Sequence, residues 1–260
     1  MTSMPPRPWI VAHRGARDEA PENTGAAFDR ALRNDIDGIE LDVQLSADGV
    51  PVLYHDRTLW KIARSRKRIS SLPLDQLQKL DWGRWYHPAF SGEPLLTLEE
   101  TLQRYLPETR LFIEIKYRAA DRRQAKRTRL VQAVLALLQH RDHAPHVERG
   151  AFILSFDPEL LSRVLELAPH LRCVWNLPER LSEEAFSNAR SFPSGLWGCC
   201  VRRNDLTRSL VQQAHDLGLR CLTYSCNTPR QVRKVWPLQP DAILTDRPGW
   251  LCGFISEIFD

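Results

Sequence analysis

The chain has no run approaching the ~18 consecutive apolar residues of a membrane-spanning helix, so no transmembrane segment is expected. Residues Met1 to Pro8 hold Pro and Ser but no hydrophobic signal core, which makes a cytoplasmic protein the starting expectation. None of the six cysteines stands in a C-x-x-C pair, which argues against a zinc ribbon or a thioredoxin-like site. Cys173, Cys199, Cys200, Cys221, Cys226 and Cys252 all lie in the second half, most in or beside apolar runs, as reduced core thiols do. Strong charge of one sign is missing too. The 36 basic and 32 acidic residues leave +4, far from the one-sided charge of a nucleic-acid-coating protein. No G-x-G-x-x-G follows the first apolar run, which counts against a dinucleotide-binding sheet.

What is present is enough for a large core. The 260 residues are 43% apolar, with eight Trp, nine Phe and five Tyr, the length of one large α/β domain or two small ones. Short apolar runs alternate with amphipathic stretches. Trp9–Ala12, Gly38–Leu45, Arg110–Lys116, Ala151–Ser155, Arg172–Asn176, Leu196–Val201, Arg220–Tyr224 and Ala242–Thr245 read as strands, with Val50–Tyr54 as an extra extended arm. Helical spacing marks Thr24–Arg33, with Asn23 as cap, then Leu98–Leu106, Arg127–Leu138, Pro158–Leu167, Ser182–Arg190, Leu206–Leu217, Pro229–Trp236 and Phe254–Phe259. Regular β–α alternation requires parallel strands joined by helices. Eight such units predict an α/β fold of the (β/α)8 type, a TIM barrel. Residues 1–260 then form a single domain, with a small insertion after the second strand at about 56–96. That insertion has a weak helix near Leu74–Leu80 and is expected to lie over one end of the barrel.

Polar residues recur at the C-terminal ends of the strands, where barrels of this type hold their chemistry. His13 and Arg14 end the first strand, and His55 ends the extra arm. Glu40 and Asp42 are two apart, so both point to one face while Ile39, Leu41 and Val43 face the helices. Glu114 and Lys116 repeat that spacing, with Ile113 and Ile115 outward. Three converging carboxylates raise one another's pKa unless a cation compensates, and an all-oxygen set suits Mg2+ or Ca2+. Three carboxylates, one divalent cation, Lys116 and Arg14 leave one positive charge, which suits a phosphodiester. Two histidines add a base and an acid at neutral pH. These are the parts of phosphodiester cleavage.

His13-Arg14-Gly15, Pro21-Glu22-Asn23-Thr24, Glu40-Leu41-Asp42-Val43 and His55-Asp56 together resemble the signature of the glycerophosphodiester phosphodiesterases. Glu114-Ile115-Lys116, Ser155-Phe156-Asp157 and Thr245-Asp246-Arg247-Pro248 carry the resemblance across nearly the whole chain. The resemblance implies that Glu40, Asp42 and Glu114 hold one divalent cation, Mg2+ or Ca2+. It implies His13 as base, His55 as the acid that protonates the leaving alcohol, and Arg14, Lys116 and Tyr224 as substrate-binding residues. The implied substrate is a small glycerophosphodiester, a deacylated phospholipid, cleaved to glycerol 3-phosphate and an alcohol. A glycerol hydroxyl beside the phosphoester is an available internal nucleophile, through a cyclic phosphate. Two loops depart from the family pattern, Leu59 to Arg68 and Tyr224-Ser225-Cys226-Asn227, and they bear on alcohol preference rather than on metal or acid–base positions.

Other readings stand beside this one. Trp60, Trp82, Trp85, Tyr86 and Phe90 would grip a lipid tail in a lysophospholipase D of the same fold; the four from Trp82 onward read equally as a small core holding the insertion down. A barrel that only binds phosphodiesters or a protein partner is a third reading, opposed by the complete set of site residues. The basic run Lys61–Arg68 reads as a solvated loop or a contact for anionic headgroups, leaving room for peripheral lipid contact, and Arg122–Arg129 as a solvated helix start. No nucleic-acid partner is expected, and the oligomeric state is open.

Overall fold

Two-residue alternation decides what each strand turns inward. On β1 (Trp9–His13), Ile10 and Ala12 pack outward while Val11 enters the central core. On β2 (Gly38–Leu45), Ile39, Leu41 and Val43 face outward, as their spacing predicts. The structure, a computed structural model, describes residues 7–116, 124–178 and 192–259. Seven further strands follow: β3 (Pro51–Leu53), β4 (Arg110–Ile115), β5 (Ala151–Ser155), β6 (Arg172–Asn176), β7 (Gly198–Arg202), β8 (Arg220–Tyr224) and β9 (Ala242–Thr245). All but β3 pair in parallel, and β1 bonds both β2 and β9, which closes the sheet. The expected (β/α)8 barrel is the observed fold, and β3 is the antiparallel arm on β2.

Inward residues from alternate strands stack in layers in such barrels. The middle here is apolar: Val11, Phe112, Val174 and Leu222 come from β1, β4, β6 and β8, with Leu154, Cys200 and Leu244 from β5, β7 and β9. Two residues further along the first set, the inward positions are His13, Glu114, Asn176 and Tyr224. The apolar middle is therefore a plug, and the polar chemistry is confined to its ends.

Several boundaries differ from the sequence reading. The first helix runs Gly25–Ala31 and is capped by Thr24, whose hydroxyl accepts from the Ala27 amide, because Asn23 uses its side chain elsewhere. The closing helix begins at Pro248 rather than Phe254; proline in the first turn starts it, while Gly249 and Gly253 blur the helical pattern. A helix at Ala144–Gly150 has no counterpart in the expected set. The expected helix Ser182–Arg190 lies outside the described residues.

The stretch 56–96 folds into short pieces: helices Trp60–Ala63 and Leu74–Leu77, and 3-10 turns at Ile69–Ser71 and Pro88–Phe90. Tyr54, Leu59, Ile69, Leu77, Trp82 and Leu95 make its own core. Glu93 accepts from the Ala26 amide at 3.0 Å, which fixes the insertion to the start of the first helix. Trp82 is buried, and Trp85, Tyr86 and Phe90 form a chain of edge-to-face contacts, so these aromatics hold the insertion together. Within the run Arg122–Arg129, Arg127 departs from a solvated face, being largely buried against Asp157, at 2.8 Å, and Glu159, whereas Arg129 is exposed and the side chains of 122–126 lie outside the described residues.

Candidate active site

The C-terminal mouth of the barrel holds a cavity of about 150 Å³ lined by His13, Arg14, Glu40, His55, Glu114, Lys116, Asn176 and Tyr224. Every sequence-predicted site residue except Asp42 lines it, and Asp42 lies fully buried beside Glu40 and Glu114. Carboxylate oxygens of Glu40, Asp42 and Glu114 lie within 4.8 Å of one another. At an effective dielectric of ~20, each such pair repels by about 3–4 kcal/mol. The two cations nearby do not relieve all three acids equally. Lys116 Nζ contacts Asp42 at 2.8 Å and Glu114 at 2.6 Å, and Arg14 Nε contacts Asp42 at 3.0 Å. Burial pushes Asp42 upward, but Lys116 and Arg14 outweigh it and hold its carboxyl well below the usual range. Burial and the neighbouring Asp42 and Glu114 push Glu40 well above that range, and burial raises Glu114 as well.

Backbone geometry at His13-Arg14-Gly15 explains that tripeptide. Arg14 and Gly15 both have positive φ, 60° and 83°, and a Cβ on Gly15 would stand 2.8 Å from Ala27. Only glycine fits there without displacing the first helix. The turn sends the Arg14 amide to the Glu40 carbonyl at 2.8 Å and the guanidinium over Asp42. Asn23, also at positive φ, donates to Asp42 Oδ2 at 2.8 Å and accepts from the Asp42 amide at 3.1 Å.

Each histidine has a carboxylate behind it. His13 Nδ1 is 2.6 Å from Asp246 Oδ1, and its Nε2 lies 3.8 Å from Glu40. Burial and the Arg14 charge hold His13 below its ordinary pKa, with Asp246 acting against them. An ionised Asp246 can only accept, so Nδ1 carries the hydrogen and Nε2 is the free nitrogen. His55 Nδ1 is 2.9 Å from Asp56 Oδ1. Gln44 donates to the carbonyls of Tyr54 and Asp56, at 2.6 and 2.9 Å, and so pins the loop that carries His55.

The charge balance differs from the sequence tally, which omitted Glu22, Asp56 and Asp246. Arg14 is shared with Glu22 at 3.3 Å; Glu22 also contacts Arg17 at 3.2 Å and Lys61 at 2.7 Å, and Lys61 continues to Asp56 at 3.0 Å. Six carboxylates (Glu22, Glu40, Asp42, Asp56, Glu114 and Asp246) face four cations (Arg14, Arg17, Lys61 and Lys116). Two negative charges remain, which one divalent cation brings to zero. Glu22, His55 and Asp56 also cluster, but Lys61 already supplies a cation there. The Glu40, Asp42 and Glu114 group, all oxygen donors and buried, is the one compatible with a hard divalent metal.

Sequence reasoning missed Asp246, Asn227 and Asn176 as site residues. Asn227 donates to Asp246 Oδ2 at 2.5 Å and accepts from its amide at 2.8 Å. Asn176 is buried at the cavity with no hydrogen-bond partner for its Oδ1 among the described residues. Asn176 and Asp246 stand at or just past strand ends, so the rule that picked out His13 reaches them too.

The sequence profile described as "Glycerophosphoryl diester phosphodiesterase family" matches residues 13–250. The chain is 32% identical to YhdW of Bacillus subtilis (strain 168), over 94% of this chain and 96% of that protein. It is 31% identical to another protein of that organism, named glycerophosphodiester phosphodiesterase, covering 94% and 85% of the two chains. Among solved structures it resembles an Oleispira antarctica phosphodiesterase, in complex with the product sn-glycerol-3-phosphate. That likeness has a TM-score of 0.81 and 25% identity, over 96% of this chain and 97% of that one.

Proposed function

This chain belongs to the glycerophosphoryl diester phosphodiesterase family and is a phosphodiester-cleaving enzyme, and from that premise we propose its metal-dependent, histidine acid–base mechanism. The substrates are glycerophosphodiesters, split into sn-glycerol 3-phosphate and an alcohol; the product bound in the Oleispira relative supports that choice. One observation carries the reading: two carboxylate-backed histidines face one cavity beside a cluster of three buried carboxylates, two of which line it. In this reading residues 1–260 act as one barrel domain, with 56–96 inserted at its mouth.

Glu40, Asp42 and Glu114 would hold the cation, and burial together with the neighbouring Asp42 and Glu114 raises the Glu40 carboxyl where a cation would lower it. A bound Mg2+ or Ca2+ would stabilise the charge that grows on the phosphoryl oxygens. Lys116 donates one N–H to Glu114 and its ammonium lies 2.8 Å from Asp42 Oδ1, so of its three N–H donors at least one remains for a phosphate oxygen. Arg14 adds fixed positive charge beside it. His13 is held neutral by burial and by Arg14, so its Nε2 can take the proton of the attacking hydroxyl. His55, held by Asp56 and lining the same cavity, gives a proton to the departing alcohol. Tyr224 lines the cavity on the side of the glycerol moiety, and the Asn176 Oδ1, without a partner among the described residues, would accept a hydrogen bond from a glycerol hydroxyl.

A coupled assay for glycerol 3-phosphate, with glycerophosphocholine and glycerophosphoethanolamine as substrates, tests this. The expected result is activity that EDTA abolishes and Mg2+ or Ca2+ restores. Activity that survives full chelation would remove the metal from the mechanism. Turnover of lysophospholipids alone would replace the substrate assignment with a lysophospholipase D.

A further inference from the structure

The register that fills the barrel's middle with apolar side chains turns arginines inward at its N-terminal end. Arg110, Arg172 and Arg220 are the first residues of β4, β6 and β8, and Trp9 opens β1. Together with Arg149 they border a cleft of about 870 Å³, against Trp9, Phe152 and Trp197. Trp9 and Trp197 stack at 5.9 Å, and Phe152 meets Trp197 edge-on at 4.8 Å. The cleft is separate from the catalytic cavity: Phe152 lines the first, and Leu154, two residues along the same strand, lines the second.

The protein does not cancel the charge of this cleft. Arg220 pairs with Asp241 at 2.9 Å, and Arg7 at the rim pairs with Asp35 and Asp37. Arg110, Arg149 and Arg172 have no carboxylate partner among the described residues. Arg110 gives one N–H to the Asp37 carbonyl and Arg172 one to the Arg149 carbonyl, each at 3.1 Å. The rest of each guanidinium's five donors have no acceptor among the described residues. Arg110 Cζ lies 4.4 Å over the Trp9 ring and Arg172 Cζ 5.2 Å over Phe152. Such ring contacts orient a guanidinium without neutralising it. Two oriented cations, Arg110 and Arg172, with Arg149 at the edge and none of the three paired with a carboxylate among the described residues, favour a compact polyanion in a cleft of ligand size.

We propose that this cleft binds a small ligand carrying two or more clustered phosphate groups. Guanidinium forks match phosphate oxygens in pairs, and their stacking on Trp9 and Phe152 reduces the ordering cost of binding. Nucleoside triphosphates and inorganic polyphosphates share this chemistry. The charges sit inside a concavity rather than on a protruding face, which suits a small molecule over a membrane surface.

Calorimetric titration of the full chain in EDTA, with tripolyphosphate and ATP as separate probes, is the test. Saturable binding is expected, weakening as salt rises. The double variant Arg110→Gln, Arg172→Gln should bind at least ~10-fold more weakly, because charge-assisted hydrogen bonds are lost. Lys116→Gln, in the catalytic cavity, should leave the affinity as it was. Tighter binding of ATP would point to a nucleotide, and equal binding to the phosphates alone; either ordering supports the site. If the double variant loses its cooperative thermal transition, Arg149→Glu, on an exposed side chain, takes its place with the same expected direction. No binding of either probe overturns the proposal. So does binding that Lys116→Gln abolishes and the double variant keeps, or capture only by vesicles of anionic lipid.

Discussion

Asp246 shows how much one residue behind the proposed base can decide. Its carboxylate fixes the hydrogen on His13 Nδ1, while Asn227 holds Asp246 itself. Burial pushes the Asp246 carboxyl up, but the His13 hydrogen bond and the nearby charges outweigh that and hold it at about 2. It is therefore ionised throughout the working range. His13→Ala should lower kcat by at least ~10²-fold, the scale of a lost general base. Asp246→Asn should cost a similar factor, because an amide no longer enforces the required tautomer. Steady-state kinetics checks both, and near-wild-type kcat in either variant would remove that residue from the mechanism. Stability follows the same pair. A carboxyl depressed from 3.8 to about 2 adds about 2 kcal/mol above its unfolded pKa, and that contribution disappears as pH falls toward 2. The difference in unfolding free energy between wild type and Asp246→Asn should narrow as pH falls below ~4.

At the scale of elements, the strands were legible and the helix ends less so. Ala151–Ser155, Arg172–Asn176, Arg220–Tyr224 and Ala242–Thr245 are observed with the boundaries their apolar runs predict. A strand inside a barrel is apolar on both faces, so its limits are where polar residues begin. Helix starts depend on which side chain caps them, and that is a tertiary outcome. Asn23 is a good cap by type, yet Asp42 claims its side chain and Thr24 does the capping. The helix Leu98–Tyr105 has a full capping box, with Thr97 Oγ1 accepting from the Glu100 amide and Glu100 accepting from the Thr97 amide at 2.8 Å. Thr97→Ala should destabilise the protein by ~1 kcal/mol in urea unfolding without changing KM. This helix packs on the outside of the barrel through Leu98 and Leu102, away from the catalytic cavity.

The whole molecule is a barrel plugged by apolar side chains, polar at one end and arginine-rich at the other. The carboxylate-rich end has two negative charges more than it has cations nearby, so a divalent ion, as the proposed reaction requires, should also stabilise the fold. At a hundredfold excess over its Kd, a cation adds ~2.7 kcal/mol, which corresponds to a Tm rise of ~5–10 °C for a chain of this size. Differential scanning calorimetry of chelator-treated protein, with and without Mg2+ or Ca2+, reads this directly. Glu114→Gln should remove most of the rise. A Tm indifferent to both ions would argue that the three carboxylates hold no cation.

By itself the sequence determined the alternation of strands and helices, and hence the parallel barrel. It also determined which faces of β2 and β4 carry acid, because a period of two is written into adjacent residues. Strand-end position pointed to His13, Glu40, Asp42, His55, Glu114 and Lys116, which the fold then brings to one mouth. Only the tertiary structure decided which cation serves which carboxylate. Asp42, with two cations, is held low; Glu40 is left high, although the two differ by a single position on one face. It also decided that Asp246, 233 residues beyond His13 in the chain, stands behind it. Barrel closure pairs the first strand with the last, so partners most distant in sequence become neighbours. The sequence's slight excess of +4 conceals the same separation: acid gathered at one end of the barrel and uncompensated arginine at the other.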